Sequence, residues 1–72
     1  MTKLKCAVLN LNYIANRRKE LGFTLEYMAR ELGLKNPGNY LKYETGEYRF
    51  KADMLPVLAN ALKCGINDFF CQ

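Results

Sequence analysis

The stretch LGLKNPGNYLKYETGE, residues 32–47, decides how the rest of the chain is read. Apolar residues at helical spacing run up to it and resume after it, yet Gly33, Asn36, Pro37 and Gly38 interrupt the pattern. A tight turn followed at once by a new helix satisfies every one of these residues. Gly33 tolerates the positive φ that ends a helix, and Asn36 offers a capping side chain. Pro37 suits a first helical turn, where its missing amide donor has no partner to lose. The spacing predicts a helix from about Pro37 to Thr45, stopped by Gly46.

Working outward, the same period recurs. Leu11, Ile14 and Ala15 open one apolar stripe. After a break at Gly22 come Leu25, Met28, Ala29 and Leu32. Leu55, Leu58, Ala59 and Leu62 form another stripe, and Ile66, Phe69 and Phe70 a short last one. Each is the pattern of a helix burying one face. Asn10 or Asn12 can cap the first helix and Gly22 can end it. Thr24 caps the second, Asp53 the fourth, with Pro56 in its first turn, and Gly65 separates the fourth from the fifth. Alternation of period two occurs only in KLKCAV, residues 3–8, which suits a short strand or an extended arm over 1–9. The expected architecture is all-α: a compact five-helix domain over residues 1–72, with or without that arm.

Composition narrows the function. At 72 residues the chain is one domain near the lower limit for a self-supporting core. Its 3 cysteines are an odd number without C-x-x-C spacing, and there is no histidine, so reduced thiols are expected and no zinc-ligand set exists. No secretory leader or membrane-spanning run is evident, so a cytoplasmic protein is expected. The net charge of +4 leans towards an anionic partner. Enzyme chemistry is disfavoured. Without histidine there is no imidazole relay, the 7 acidic residues are scattered, and no phosphate-cradling glycine loop occurs. No cofactor is expected.

Four segments in order then resemble one family. These are RKELGFT (residues 18–24), MARELG (28–33), the Tyr-Glu-x-Gly of 43–46, and MLPVLANAL (54–62). They are similar to the R-x-x-x-G-x-T-Q, L-A-x-x-L-G, W-E-x-G and A-x-x-L pieces of the Cro/C1-type, lambda-repressor-like helix-turn-helix domains, also called the XRE family. The resemblance covers about residues 11–70 and implies a helix-turn-helix over about 24–45. Physical requirements agree with it. Ala29 is small where two helices must cross, and Gly33 supplies the turn. Arg18 and Glu44 lie on inward stripes of the first and third helices, and two opposite charges on apolar faces are costly unless they meet.

The resemblance implies a sequence-specific double-stranded DNA-binding transcriptional regulator, a small phage, plasmid or mobile-element repressor acting as a homodimer, with the third helix in the major groove. Asn36, Gly38, Asn39 and Lys42 are then the base-reading candidates, since Asn suits adenine and Lys suits guanine acceptors. Arg17, Lys35, Tyr43, Arg49 and Lys51 are the phosphate candidates, and Phe50 is expected as a core plug under the loop. The chain departs from the family in three places. It is one residue longer between Gly33 and Glu44. Leu25 replaces the usual glutamine. Pro37 and Gly38 occupy positions where long polar side chains often read bases. The competing reading is a protein-interaction module on the same fold, an antitoxin or regulatory subunit with weak or no DNA binding.

Overall fold

Asn10 starts the first helix: its extended backbone leaves the side-chain oxygen to accept the Tyr13 amide at 3.1 Å. From there the computed structural model, which describes residues 9–70, is all-helical. Four α-helices follow in order: α1 (Leu11–Glu20), α2 (Leu25–Glu31), α3 (Pro37–Thr45) and α4 (Leu55–Ala61). Two 3-10 turns, Ala52–Met54 and Ile66–Phe69, precede and follow α4. The expected fifth helix is therefore a single 3-10 turn. The candidate strand or arm before Leu9 lies outside the described residues, and the extended pairing among those described is one isolated antiparallel bridge, Leu9 with Phe70. Beside it the Asn10 amide donates to the Phe69 carbonyl at 2.7 Å, which ties the start of α1 to the end of the domain.

Three helices end by the same device. After α1, Gly22 at φ 76° lets its own amide reach the Lys19 carbonyl and the Phe23 amide reach that of Arg18. After α2, Gly33 at φ 75° does so through Arg30, while Leu34 donates to Ala29 at 2.8 Å. Both are left-handed helix ends that satisfy otherwise orphaned carbonyls. After α4 the left-handed residue is Lys63, at φ 56°, with Cys64 donating to Ala59. Gly46, at φ 95°, ends α3 in a conformation that favours glycine, and a Cβ there would press on the Leu11 side chain at 3.1 Å.

Helix starts follow the sequence except at α4. Thr24 accepts from the Tyr27 amide and Asn36 from the Asn39 amide, at 3.0 and 2.9 Å. Asp53 does not cap α4. It lies inside the 3-10 turn, whose Met54 amide donates to the Lys51 carbonyl, so backbone bonds do the work expected of a side chain.

The core is Ile14 of α1, Met28 and Ala29 of α2, Tyr40 of α3, Leu58, Ala59, Ala61 and Leu62 of α4 and its end, and Phe69. α2 packs on both α3 and α4, and α1 on α3. Ala29, 2% exposed, keeps the α2 backbone close to its neighbours. Phe50 packs against this core, its ring beside Tyr40 and Tyr43.

Two polar groups enter that interior on α3. Glu44 accepts from Arg18 Nε at 2.9 Å and from Nη2 at 3.1 Å, a two-pronged pair whose side chains are 6% and 12% exposed. Arg18 Nη1 also donates to the Phe23 carbonyl, so one guanidinium ties α1, the α1–α2 turn and α3 together. Its bond to the Glu44 carboxylate raises the Arg18 pKa further above its ordinary value. One turn earlier, the Tyr40 hydroxyl is buried and makes no hydrogen bond of normal geometry. Desolvation first, then the nearby Glu44 carboxylate, push its pKa well above that of an ordinary phenol.

Glu44→Ala is expected to cost about 3–5 kcal/mol in chemical denaturation, because it leaves Arg18 uncompensated. The double change Arg18→Met with Glu44→Leu should recover much of that loss, and a single-variant cost below about 1 kcal/mol would mean an effectively solvated pair. Tyr40 sets an alkaline limit. Its phenol is held neutral in the fold and ionises more readily when unfolded, so its contribution is complete below the ordinary phenol pKa and declines as pH rises through it. Tyr40→Phe should leave neutral-pH stability equal or higher and reduce the alkaline loss; a large destabilisation at neutral pH would reveal a hydrogen bond to the hydroxyl.

Candidate nucleic-acid interface

The inward residues of α3 fix which of its residues face away from the domain. With Tyr40 and Glu44 buried, Pro37, Gly38, Leu41 and Thr45 are exposed and Asn39 and Lys42 half-buried, Lys42 lying two residues from each buried position and so on the opposite side of the helix. α2 packs against the other side of α3, and the turn joining them forms a shallow cleft lined by Glu26, Ala29, Arg30, Leu34, Lys35, Asn36 and Pro37. The two helices thus form the unit expected of a groove-reading element, with the N-terminus of the second standing free.

Each candidate has a definite place. Asn36 is exposed, but its side-chain oxygen is committed to capping α3, which leaves only its amide group as a donor to a ligand. Gly38 lies one turn before Leu41, and a Cβ there would meet the Asn36 oxygen at 3.3 Å, so the cap and the glycine are coupled. The Asn39 side chain makes no hydrogen bond among the described residues, while its amide binds the Asn36 cap. The Lys42 ammonium stands 5.3 Å from the centre of the Tyr48 ring, a cation–π contact that pre-orients it. The Tyr48 amide donates to the Lys42 carbonyl at 3.0 Å, folding the following loop back onto the end of α3.

The basic residues divide into two groups. Lys35 is exposed in the turn, and Arg49 and Lys51 are exposed in the loop after α3. Tyr43 is half-buried, its ring edge-on to Tyr48 and beside Phe50, so this aromatic cluster supports the loop that carries Arg49 and Lys51.

Arg17 has another role from the one its charge suggested. Its Nε donates to the Leu62 carbonyl at 2.9 Å and its Nη2 to that of Lys63 at 3.2 Å, with Glu20 3.5 Å from Nη1. It is a clamp on the end of α4, where Lys63 holds a left-handed conformation unfavourable to a residue with a Cβ. The guanidinium, 30% exposed, therefore already has partners within the domain, which leaves less of it for a phosphate. Nothing local in the sequence signals a contact between residues 17 and 62.

Leu41 is exposed on the same helix, four residues after Pro37 and three after Gly38.

Among the described residues no group of three or more His, Cys, Asp or Glu is arranged to hold a metal ion, and no helix is long and apolar enough to cross a membrane. Burial pushes the Cys64 thiol pKa up, the wrong direction for a nucleophile.

A model of a helix-turn-helix family, HTH_3, matches residues 14–69, from the buried Ile14 to the buried Phe69. Comparison with curated proteins and with solved structures found no match.

Arg17→Ala is expected to lower stability by about 1–2 kcal/mol through the lost bonds to Leu62 and Lys63, as read by thermal melting. It should leave the salt dependence of any DNA binding unchanged. A flattened salt slope with unchanged stability would return Arg17 to the phosphate contacts.

Proposed function

Because the chain belongs to the Cro/C1-type helix-turn-helix family, a family of DNA-binding regulators, we propose that it is a sequence-specific double-stranded DNA-binding transcriptional repressor. It works as a homodimer that sets α3 in the major groove, and it serves a small phage, plasmid or mobile element. The observation that carries this reading is the fixed roll of α3. The Arg18–Glu44 pair and buried Tyr40 hold one side of the helix against the domain, so the opposite side is presented as a rigid surface.

Charge and geometry agree on the partner. Lys35 lies before α3, Lys42 on it, and Arg49 and Lys51 after it, so cations flank the helix at both ends. Phosphates on either side of a groove are where such cations are useful, since they position a protein on the duplex without specifying sequence. Asn39 and Lys42, three residues apart, are neighbours on the helix and are the polar base-reading candidates, with Asn36 and Gly38 at its start. A homodimer matches protein symmetry to two half-sites about one helical turn apart. Ile66, 37% exposed, and half-buried Phe70 belong to one candidate contact between copies, and the segment 4–8, outside the described residues, is the other.

Binding to random duplex DNA across a salt series tests the class of partner. Affinity should fall steeply as salt rises, and a flat response would favour the protein-interaction module. Arg49→Ala or Lys51→Ala should weaken preferred and random duplexes alike and reduce the salt slope by about one each. Asn39→Ala should cost about 1–3 kcal/mol on the preferred duplex and little on random DNA. Equal loss on both would remove Asn39 from the readers. Sedimentation with and without DNA reports whether two copies occupy the site.

A further inference from the structure

One exposed row of α3, beside its buried face, is apolar, which is unusual for a helix expected to meet hydrogen-bonding base edges. Pro37, Leu41 and Thr45 are spaced four apart and so lie along one line of the helix, with Gly38 beside Leu41. All four are exposed. Pro37 offers only carbon and Gly38 has no side chain. The Thr45 hydroxyl donates its hydrogen to the Lys42 carbonyl at 3.2 Å, so it has no donor left for a base edge. Leu41, 41% exposed, is the largest side chain of the row. Side chains on a helix lean towards its N-terminus, so Leu41 leans over the turn that carries Pro37 and Gly38.

We infer that Leu41 reads thymine: its exposed side chain, in a row with Pro37 and Thr45 and beside Gly38, packs against the C5-methyl group of a thymine in the major groove. The inference rests on the proposed DNA-binding reading and adds a residue and a base to it. Among the groups that base pairs present in the major groove, the thymine methyl is the apolar one. An apolar row set against the polar edge of another base would leave donors or acceptors desolvated without partners, so discrimination arises from the penalty as well as from the contact. The charges around the row favour nucleic acid over an apolar protein surface. Lys35, Arg49 and Lys51 are exposed before and after the helix, and the Lys42 ammonium is held beside it over Tyr48.

The test begins with selection of a preferred duplex from a random pool by the full chain. Each thymine of that duplex is then replaced singly by deoxyuridine, which deletes the methyl and leaves base pairing intact. The wild-type protein should lose about fourfold in affinity at the thymine under Leu41, the value of one buried methyl. Leu41→Ala should bind the thymine and uracil forms of that duplex alike. Its thermal melting should match wild type, because the side chain is exposed. Three results would overturn the inference and leave DNA binding standing: no uracil-sensitive position, a selected duplex without thymine in the contacted half-site, or a methyl effect that persists in Leu41→Ala. Failure to bind any duplex would overturn it together with the reading on which it rests.

Discussion

The pairing of Arg18 with Glu44 governs more of this molecule than any other contact. Glu44 belongs to α3 and Arg18 to α1, and the remaining Arg18 donor reaches the carbonyl of Phe23 in the turn that leads to α2. Both side chains are nearly removed from water, so the charges are tolerable only if each finds the other. Hydrophobic packing alone would hold α3 to the domain but would permit several rolls of similar energy, because apolar contact is non-directional. A two-pronged guanidinium–carboxylate contact has a required plane and distance. It therefore selects one roll, and with it the face that α3 turns outward. At the end of α3 the left-handed Gly46 lies close to the Leu11 side chain, so the helix also terminates against α1.

A similar logic operates at the far end of α4. The left-handed Lys63 would be easier as glycine, and two donors from Arg17 hold the carbonyls on either side of the strained position. The neighbouring 3-10 turn brings Phe69 into the core, where its backbone accepts from Asn10. In so small a domain, hydrogen bonds between distant parts of the chain close the structure where the core is too thin to do so alone.

How much was legible in the sequence depends on the range of the interaction. Helix starts at Asn10, Thr24 and Asn36 and helix ends at Gly22, Gly33 and Gly46 are decided within about four residues, and their signals stand in the sequence. The inward positions of Arg18 and Glu44 followed from helical phase, because two charges on apolar stripes must be compensated. Asp53 misled because a capping residue indicates where a helix could start, while the chain here enters α4 through a 3-10 turn that satisfies its own amides. The last segment had helical spacing but too few residues to close successive α-turns, and a 3-10 turn was sufficient to bury Phe69. Arg17 was unreadable for a different reason. Its partners are backbone carbonyls 45 and 46 residues away, and no side-chain pattern announces a carbonyl.

The departures of this chain from its family gain a common physical sense on the proposed interface. Leu25, where relatives use a polar side chain, packs against the core instead of reaching outward. Pro37 and Gly38 remove two long side chains from the start of α3, and the Asn36 oxygen is occupied by the cap. What remains exposed is a short-limbed helix with an apolar line beside two polar residues, bracketed by exposed cations. On such a surface the sources of affinity and specificity separate. Lysine and arginine contacts to phosphate act on every duplex and weaken with salt. Apolar contact in the groove acts only where a methyl is presented, and it is largely indifferent to salt because no counterion is displaced by it. Raising salt would therefore lower affinity for all DNA while preserving the preference among sequences.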